Sequence, residues 1–316
     1  MDVGFDKVLV TGGAGFIGSH IVDRLLEKGV QLRVLDDLST GDKNNLVQHE
    51  SNDGFEFVLG DIRDYDVVEK AVKGVDAVVH QAALVSVTKS VEYPLVSNGI
   101  NVVGSLNLLK ASVDLGVKRF VFASSCAVYG DCQCLPVSEG CCVRPLSPYA
   151  VDKFAVENYA RVFKENCGLE TVGLRYFNVY GPRQKFGPYS GVISVFVNCF
   201  LENKSPIIFG DGKQTRDFVY VDDVVEANLC ALKKEGAGGE VFNVCSGKES
   251  SVNALFEVLQ KVSGKSNVTP VFREERIGDI KRSYGENAKA LEKLGFKAKM
   301  LLENGIEELF KFRSKQ

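Results

Sequence analysis

The sequence predicts an α/β fold, a doubly wound parallel sheet with a smaller lobe, from three features. Short runs rich in Val, Leu and Phe alternate with segments whose apolar residues recur at three and four positions. The strand-like runs are almost continuously apolar, as strands covered on both faces must be. After NVYGPRQ the alternation breaks. The expected strands are KVLVTG, LRVLDD, FEFVLGD, AVVHQAA and RFVFASS, each followed by a polar or glycine-bearing turn, with ETVGLRYFN extending the sheet. Helices are expected between them, over Ile17 to Lys28 and Val102 to Leu115 among others. The stretch from Lys185 to Asp217 reads as loop-rich. A helix over VDDVVEANLCALKK, a strand at VFNVC and further helices follow it. This division makes residues 1–180 one domain and residues 181–316 a lobe interleaved with it, with a ligand cleft between them.

Composition narrows the function. Of 316 residues, 45% are apolar and 25% charged, and a net charge of -3 offers no basic footprint for nucleic acid or for a membrane surface. The N-terminus MDVGFDKVLVTGG has acids where a secretory signal needs bases, and no apolar run is long enough to span a bilayer, so the cytoplasm is expected. Five of the 9 cysteines, Cys126, Cys132, Cys134, Cys141 and Cys142, crowd one region. A C-x-C followed later by adjacent cysteines suits tetrahedral zinc poorly, so reduced thiols acting as small hydrophobes are expected, and no metal.

TGGAGFIGSH follows the first strand and opens the first helix. Gly12, Gly15 and Gly18 supply a tight turn, close backbone approach to a pyrophosphate and close helix-to-strand packing, the fingerprint of a Rossmann-type dinucleotide site. The helix N-terminus adds unpaired N–H groups for the anion. Asp36 and Asp37 end the second strand at the distance expected for an acid on the adenosine ribose. An acid there repels a 2'-phosphate, so NAD is favoured over NADP. In GDIRD two readings stand: a polar loop with a capping acid, or Asp61 at an adenine edge with Ile62 on its face.

SPYAVDK carries Tyr149 and Lys153 four residues apart, on one side of a helix. An ammonium beside a phenol favours the phenolate and moves the group toward use as a general base. Ser125, at the carboxyl end of RFVFASS, can share a substrate oxygen with Tyr149, and Ser124 is expected nearer the cofactor. A nucleophilic serine has no support, since the only histidines are His20, His49 and His80 and no G-x-S-x-G surrounds either serine.

With these motifs in this order, the chain resembles the extended short-chain dehydrogenase/reductases over essentially its whole length. Within them it is most similar to the UDP-glucose and UDP-N-acetylglucosamine 4-epimerases. The resemblance implies a cofactor set of Gly12, Gly15, Phe16, Ile17, Gly18, Asp36, Asp37, Asp61, Ile62, Ala82, Ser124, Tyr149, Lys153, Tyr176 and Phe177. It implies catalysis by Tyr149, Lys153 and Ser125, and it sets Asn101 behind them and Asn178 on the sugar phosphate. Ile207 and Phe209 become a uridine platform, Arg216 and Arg276 diphosphate clamps, and Asp279 a ribose acceptor. Arginines suit that task because their forked donors match phosphate oxygens. Ser86 is a further sugar contact.

The implied reaction is C4 epimerisation of a UDP-hexose through a transient 4-keto sugar, with no net redox change. Cys126 and Ala127 stand where 4,6-dehydratases carry acids, which argues against dehydration and decarboxylation. Ser283 stands at a gate where small residues admit an N-acetyl group, whereas Val85 replaces a glycine common in acetyl-accepting relatives. A uronate substrate, a net nucleotide-sugar dehydrogenase or reductase and an NAD-sensing regulator remain as alternatives. The resemblance also implies a homodimer through the segments Val102 to Leu115 and Tyr149 to Asn166.

Overall fold

The computed structural model describes residues 3–187, 191–276 and 278–315. The first half builds Lys7–Thr11 (β1), Phe16–Glu27 (α1), Gln31–Asp36 (β2), Phe55–Leu59 (β3), Tyr65–Val72 (α2) and Ala77–His80 (β4). Then come Val87–Glu92 (α3), Pro94–Asn98 (α4), a π turn at Gly99–Val103, Gly104–Asp114 (α5), Arg119–Ser125 (β5), Pro148–Cys167 (α6) and Glu170–Tyr176 (β6). The remainder supplies Asn178–Tyr180 (β7), Val192–Leu201 (α7), Ile207–Phe209 (β8), Thr215–Arg216 (β9), Phe218–Tyr220 (β10) and Val221–Lys233 (α8). Glu240–Val244 (β11), Ser250–Ser251 (β12), Val252–Ser263 (α9), Val271–Arg273 (β13) and Leu302–Arg313 (α10) complete it.

Seven strands form one parallel sheet in the order β11-β6-β5-β4-β1-β2-β3. Successive residues alternate between its two covered faces. Val8 and Val10 join α1 and α8 residues such as Ile21, Val22 and Val224 in one core, while Leu9 joins Val68, Leu108 and Val156 of α2, α5 and α6 in the other. The chain runs outward from β1 to β3 and returns to the opposite side of β1 at β4, so the strand order reverses between β1 and β4. Open α/β sheets bind ligands in the crevice at such a reversal. The edge strand β11 comes from the sequence after residue 181, which threads that half of the chain into the sheet.

A third core, built from Tyr180, Phe196, Phe200, Leu255, Leu259 and Ile306, holds α7, α9 and α10 with three two-stranded ladders. Two expectations are corrected. The stretch Lys185 to Asp217 contains helix α7, VISVFVNCFL, whose buried Ile193, Phe196, Val197 and Phe200 recur at three- and four-residue steps. The helix expected to begin at Val102 belongs to a helical run that starts at Pro94 and passes through the π turn. Among the described residues no helix is long and apolar enough to cross a membrane.

Candidate active site

The glycine turn sits at the strand-order reversal. Gly12 adopts φ +66°, and a Cβ there would stand 2.7 Å from the Ala82 nitrogen just beyond β4. A Cβ on Gly18 would stand 2.1 Å from the Gly12 carbonyl oxygen, so α1 packs directly on the turn. Gly15 caps α1 without a side-chain bond, and the first turn of the helix carries no acid. The amides there face an anion without internal competition. Phe16 and Ile17 pack against the third core, tying this end of α1 to the second half of the chain.

Asp36 is 7% exposed and accepts from Ala14 N at 2.9 Å and Leu38 N at 2.8 Å. Burial pushes its acid up from the usual carboxylate range. Each oxygen keeps a second lone pair for a ribose hydroxyl. Asp37 is exposed and accepts from the Ser39 amide and hydroxyl. Asp61 is gripped by Arg63, whose hydrogen bonds hold its acid low. Asp64 caps the helix that follows, as the capping reading of GDIRD expects.

Ile62 corrects an expectation. It is 5% exposed, in the slot opened by the missing side chain of Gly104, where a Cβ would stand 2.6 Å from Ile62 Cδ1. It is a core residue and not an open face for adenine.

Helix α6 begins on Ser147, which accepts from the Ala150 amide at 3.2 Å, with Pro148 preset at the first helical position. Ser90 of α3 accepts from the Tyr149 amide at 3.1 Å, fixing the tyrosine against the neighbouring helix. Tyr149 and Lys153 are both buried, with the ammonium 5.8 Å from the phenol ring centroid and Nζ donating to Ala123 O at 2.8 Å. Burial pushes the Tyr149 phenol up to about 12, against a hydrogen bond from Ser125 that lowers it. Burial pulls Lys153 down to about 8. Among the protein's own groups, then, desolvation outweighs the expected depression of the tyrosine by the lysine. A second positive charge at the site would favour the phenolate.

β5 and β6 bring Ser125 opposite Tyr176 and Ser124 opposite Arg175. The Tyr176 hydroxyl accepts from Gln81 at 3.1 Å and Asn228 at 2.8 Å. Phe177 packs where a Cβ on Gly285 would come within 2.5 Å of its ring, and Asn178 donates its amide to Asp217 O. Two more side chains have partners within the protein. Ser124 is buried, its hydroxyl turned to Glu157 at 2.5 Å. Asn101, within the π turn, is also buried, accepting from Leu84 N at 2.8 Å and donating to Leu84 O at 3.1 Å. It thus braces the loop that carries Ser86, itself the cap of α3.

The second half brings the remaining candidates together. Ile207 and Phe209 share one side of β8, which pairs with β13, and the Arg276 guanidinium stacks 3.9 Å from the Phe209 ring centroid. Arg216 pairs with Asp279 at 2.5 Å and donates to Thr215 O and Ile280 O, each at 2.7 Å. The adjacent Asp217 is wholly buried and accepts from Ser246, Gly247 and Gly285, which pins the segment holding half-buried Ser283.

The chain is matched over residues 8–245 by the NAD dependent epimerase/dehydratase family. The chain belongs to that family. It is 41% identical to a UDP-glucose 4-epimerase of Mycolicibacterium smegmatis, over 97% of this chain and 98% of the other. It is 40% identical to a UDP-glucose 4-epimerase of Thermotoga maritima solved with UDP-glucose, at a TM-score of 0.92 and covering 98% of this chain and 99% of that one. It is equally similar, at 40% identity and a TM-score of 0.93 over 98% of each chain, to a UDP-N-acetylglucosamine 4-epimerase of Methanobrevibacter ruminantium in complex with UDP-N-acetylmuramic acid.

The NAD of this epimerase/dehydratase family fits the residues present. The turn whose glycines leave no room for a Cβ, the acid-free helix terminus and the carboxylates after β2 form a cradle for a dinucleotide. Sequence reasoning missed Glu157 and Arg175, a buried ion pair behind the site. The spacing Y-x-x-x-K-x-x-x-E was the available signal for the first. Among the described residues no cluster of His, Cys, Asp or Glu is arranged to hold a metal, and Cys126 is a half-buried thiol pushed up to about 12 by desolvation.

Proposed function

We propose that the chain is a UDP-hexose 4-epimerase that interconverts UDP-glucose with UDP-galactose and UDP-N-acetylglucosamine with UDP-N-acetylgalactosamine. The observation that carries this reading is the set of buried Tyr149 and Lys153 with half-buried Ser125, together with Cys126 and Ala127 in place of acids. A dehydratase needs such acids to remove a second proton and expel a hydroxyl; an epimerase needs one group that takes and returns a single proton.

Bound NAD supplies a hydride store for C4 and, through its cationic ring, the second positive charge that favours the phenolate. The Tyr149 phenolate removes the 4-hydroxyl proton, Ser125 bonds the same oxygen, and Lys153 steadies the phenolate. Arg216 and Arg276 hold the diphosphate, Ile207 and Phe209 the uracil, and Asp279 the ribose, so affinity lies far from the reacting carbon. The 4-keto hexose is then free to turn about its phosphate link and present its other face. Tyr149 returns the proton to the C4 oxygen, which gives the epimeric alcohol. A diphosphate between Arg216 and Arg276 would compete for the guanidinium now on Asp279 and release that carboxylate for ribose.

Incubation with UDP-glucose, UDP-N-acetylglucosamine and UDP-glucuronate, followed by chromatography of C4 epimers, is the test. Conversion of the first two without stoichiometric nicotinamide consumption is expected. Conversion of the uronate alone would transfer the assignment to a uronate epimerase, and a continuing nicotinamide absorbance change to a dehydrogenase.

For specificity, Ser283→Tyr is expected to keep UDP-glucose turnover within about threefold and to reduce UDP-N-acetylglucosamine turnover at least about 30-fold, because a bulky gate leaves the acetyl group unaccommodated. Equal kcat/KM losses on both sugars would remove Ser283 from the gate. Val85 is largely exposed and so has freedom to yield to an acetyl group.

The same reading includes a homodimer and a cytoplasmic site. Exposed apolar side chains gather on α4, α5's approach and α6, with Leu95 88% exposed beside Val103, Val151, Tyr159 and Val162. Such a surface suits a helix-to-helix interface. All nine cysteines are unpaired thiols, as suits a reducing compartment. The division at residue 180 then separates a cofactor part from a mainly nucleotide-sugar part, with β11 crossing back into the first.

A further inference from the structure

The polar side of α6 continues beyond Lys153. Glu157 follows Tyr149 and Lys153 at the same four-residue step, so three ionisable groups line one side of the helix. The Glu157 side chain is 5% exposed and that of its partner Arg175 4%. Arg175 Nε donates to Glu157 Oε1 at 2.8 Å and its Nη2 to Oε2 at 2.6 Å. Ser124 Oγ donates to the same Oε1 at 2.5 Å. Arg175 also donates to the Tyr129 hydroxyl at 2.8 Å, which donates onward to Asn243.

A buried ion pair is a poor way to gain stability, since well-packed apolar residues do as well without desolvating two charges. The location of this pair suggests another role. Ser124 immediately precedes Ser125 on β5, and Arg175 immediately precedes Tyr176 on β6. Glu157 therefore ties together the ends of the three elements that carry Ser125, Tyr176 and the Tyr149–Lys153 couple.

Charge points the same way. Burial pulls the Lys153 ammonium down, while Asp152 and Glu157 act against that pull. Asp152 lies on α6 too, with its carboxylate bonded by Ser97 and Asn98. From β4, His80 faces the lysine as a neutral imidazole, pushed down to about 3 by burial first and by Lys153 second, and bonded to Thr11 and Ser105. From β6 comes the Arg175 cation, already matched by Glu157. The turn after β5 contributes Cys126 and Tyr129, both uncharged because burial raises them.

We propose that Glu157, anchored by Arg175, is a positioning residue for the 4-epimerase reaction: it fixes the strand end bearing Ser125 and keeps Lys153 an ammonium beside the reacting phenol. The proposal rests on the function proposed above.

The sign is fixed by the lysine. Activity that needs the ammonium is present below the Lys153 pKa and lost as pH rises through it, so removing the nearby anion moves the alkaline limb to lower pH. Each unit by which the limb moves down lowers kcat about tenfold at pH well above it and leaves kcat near wild type at acid pH, where the lysine is protonated in both proteins.

The experiment measures kcat against pH, with bound NAD determined in each sample, for wild type, Glu157→Asp, Glu157→Gln and the double variant Glu157→Gln/Arg175→Gln. The double variant leaves no unmatched buried cation and so guards against misfolding of the single one. Glu157→Gln is expected to retain NAD and to lose the alkaline limb early, Glu157→Asp to keep the limb in place, and the double variant, which removes one charge of each sign, to keep the limb but to lose kcat at least about tenfold at every pH because the strand end bearing Ser125 is no longer tied. A folded, NAD-loaded Glu157→Gln variant with the wild-type limb, or a folded, NAD-loaded double variant with wild-type kcat, overturns the proposal. Wild type that loads NAD yet epimerises no UDP-sugar strikes the 4-epimerase reading first, and the positioning role falls with it.

Discussion

Tyr149→Phe is expected to lower kcat by about 10²–10⁴-fold, the usual share of a general acid–base group, while NAD and UDP-sugar affinities stay within a few fold. The selectivity of the effect follows from the packing. The tyrosine ring is buried, and phenylalanine fills the same volume, so no cavity opens. The bond that fixes this turn of α6 runs from the Tyr149 amide to Ser90 and survives the substitution. Only the hydroxyl is lost, with its bond to Ser125. Lys153 retains Ala123 O and stays in place. Rapid-quench analysis of product together with the nicotinamide content of the purified variant checks the expectation. Turnover within a few fold of wild type would assign the proton transfer to another group.

The parts of this site that were readable in the sequence are those set by local spacing. The glycine turn, the Tyr149–Lys153 step and the continuously apolar strands each place their signal within about ten residues. Their positions in the fold followed from right-handed βαβ winding. Arg216 and Asp279 were legible as candidates, but their mutual pair was not, since 63 residues separate them and only the meeting of β9 with the segment after β13 joins them. Ile62 was misread, and the partner of Ser124 was missed, because sequence gives a residue's place on a strand or loop without saying which way its side chain turns. The hydroxyl of Ser124 follows the buried Glu157, and Ile62 follows the slot above Gly104. Glu157 and Arg175 look like unrelated charges until α6 packs on the sheet and brings its Glu157 onto Arg175 of β6.

The glycine cradle yields the second large effect. Gly18→Ala is expected to remove most bound NAD, and with it activity, and to destabilise the chain by about 1–3 kcal/mol through overpacking. The new Cβ would stand 2.1 Å from Gly12 O, 2.8 Å from Gly12 C and 2.9 Å from Gly13 Cα, all backbone atoms with no rotamer to change. The turn has little room to retreat. Gly12 N is bonded to Leu35 O at 2.8 Å, Gly15 N to Gly12 O at 3.0 Å, and Ala14 N to the buried Asp36. Relief must come from α1 lifting off the turn, which carries the helix terminus and its free amides away from the pyrophosphate position. Gly140→Ala is the control, because a Cβ there meets only Ser138 Oγ at 3.9 Å. NAD content by absorbance after denaturation and the melting temperature with and without added NAD separate the two contributions. A Gly18→Ala chain that carries NAD as fully as Gly140→Ala would mean that the dinucleotide does not rest on this turn.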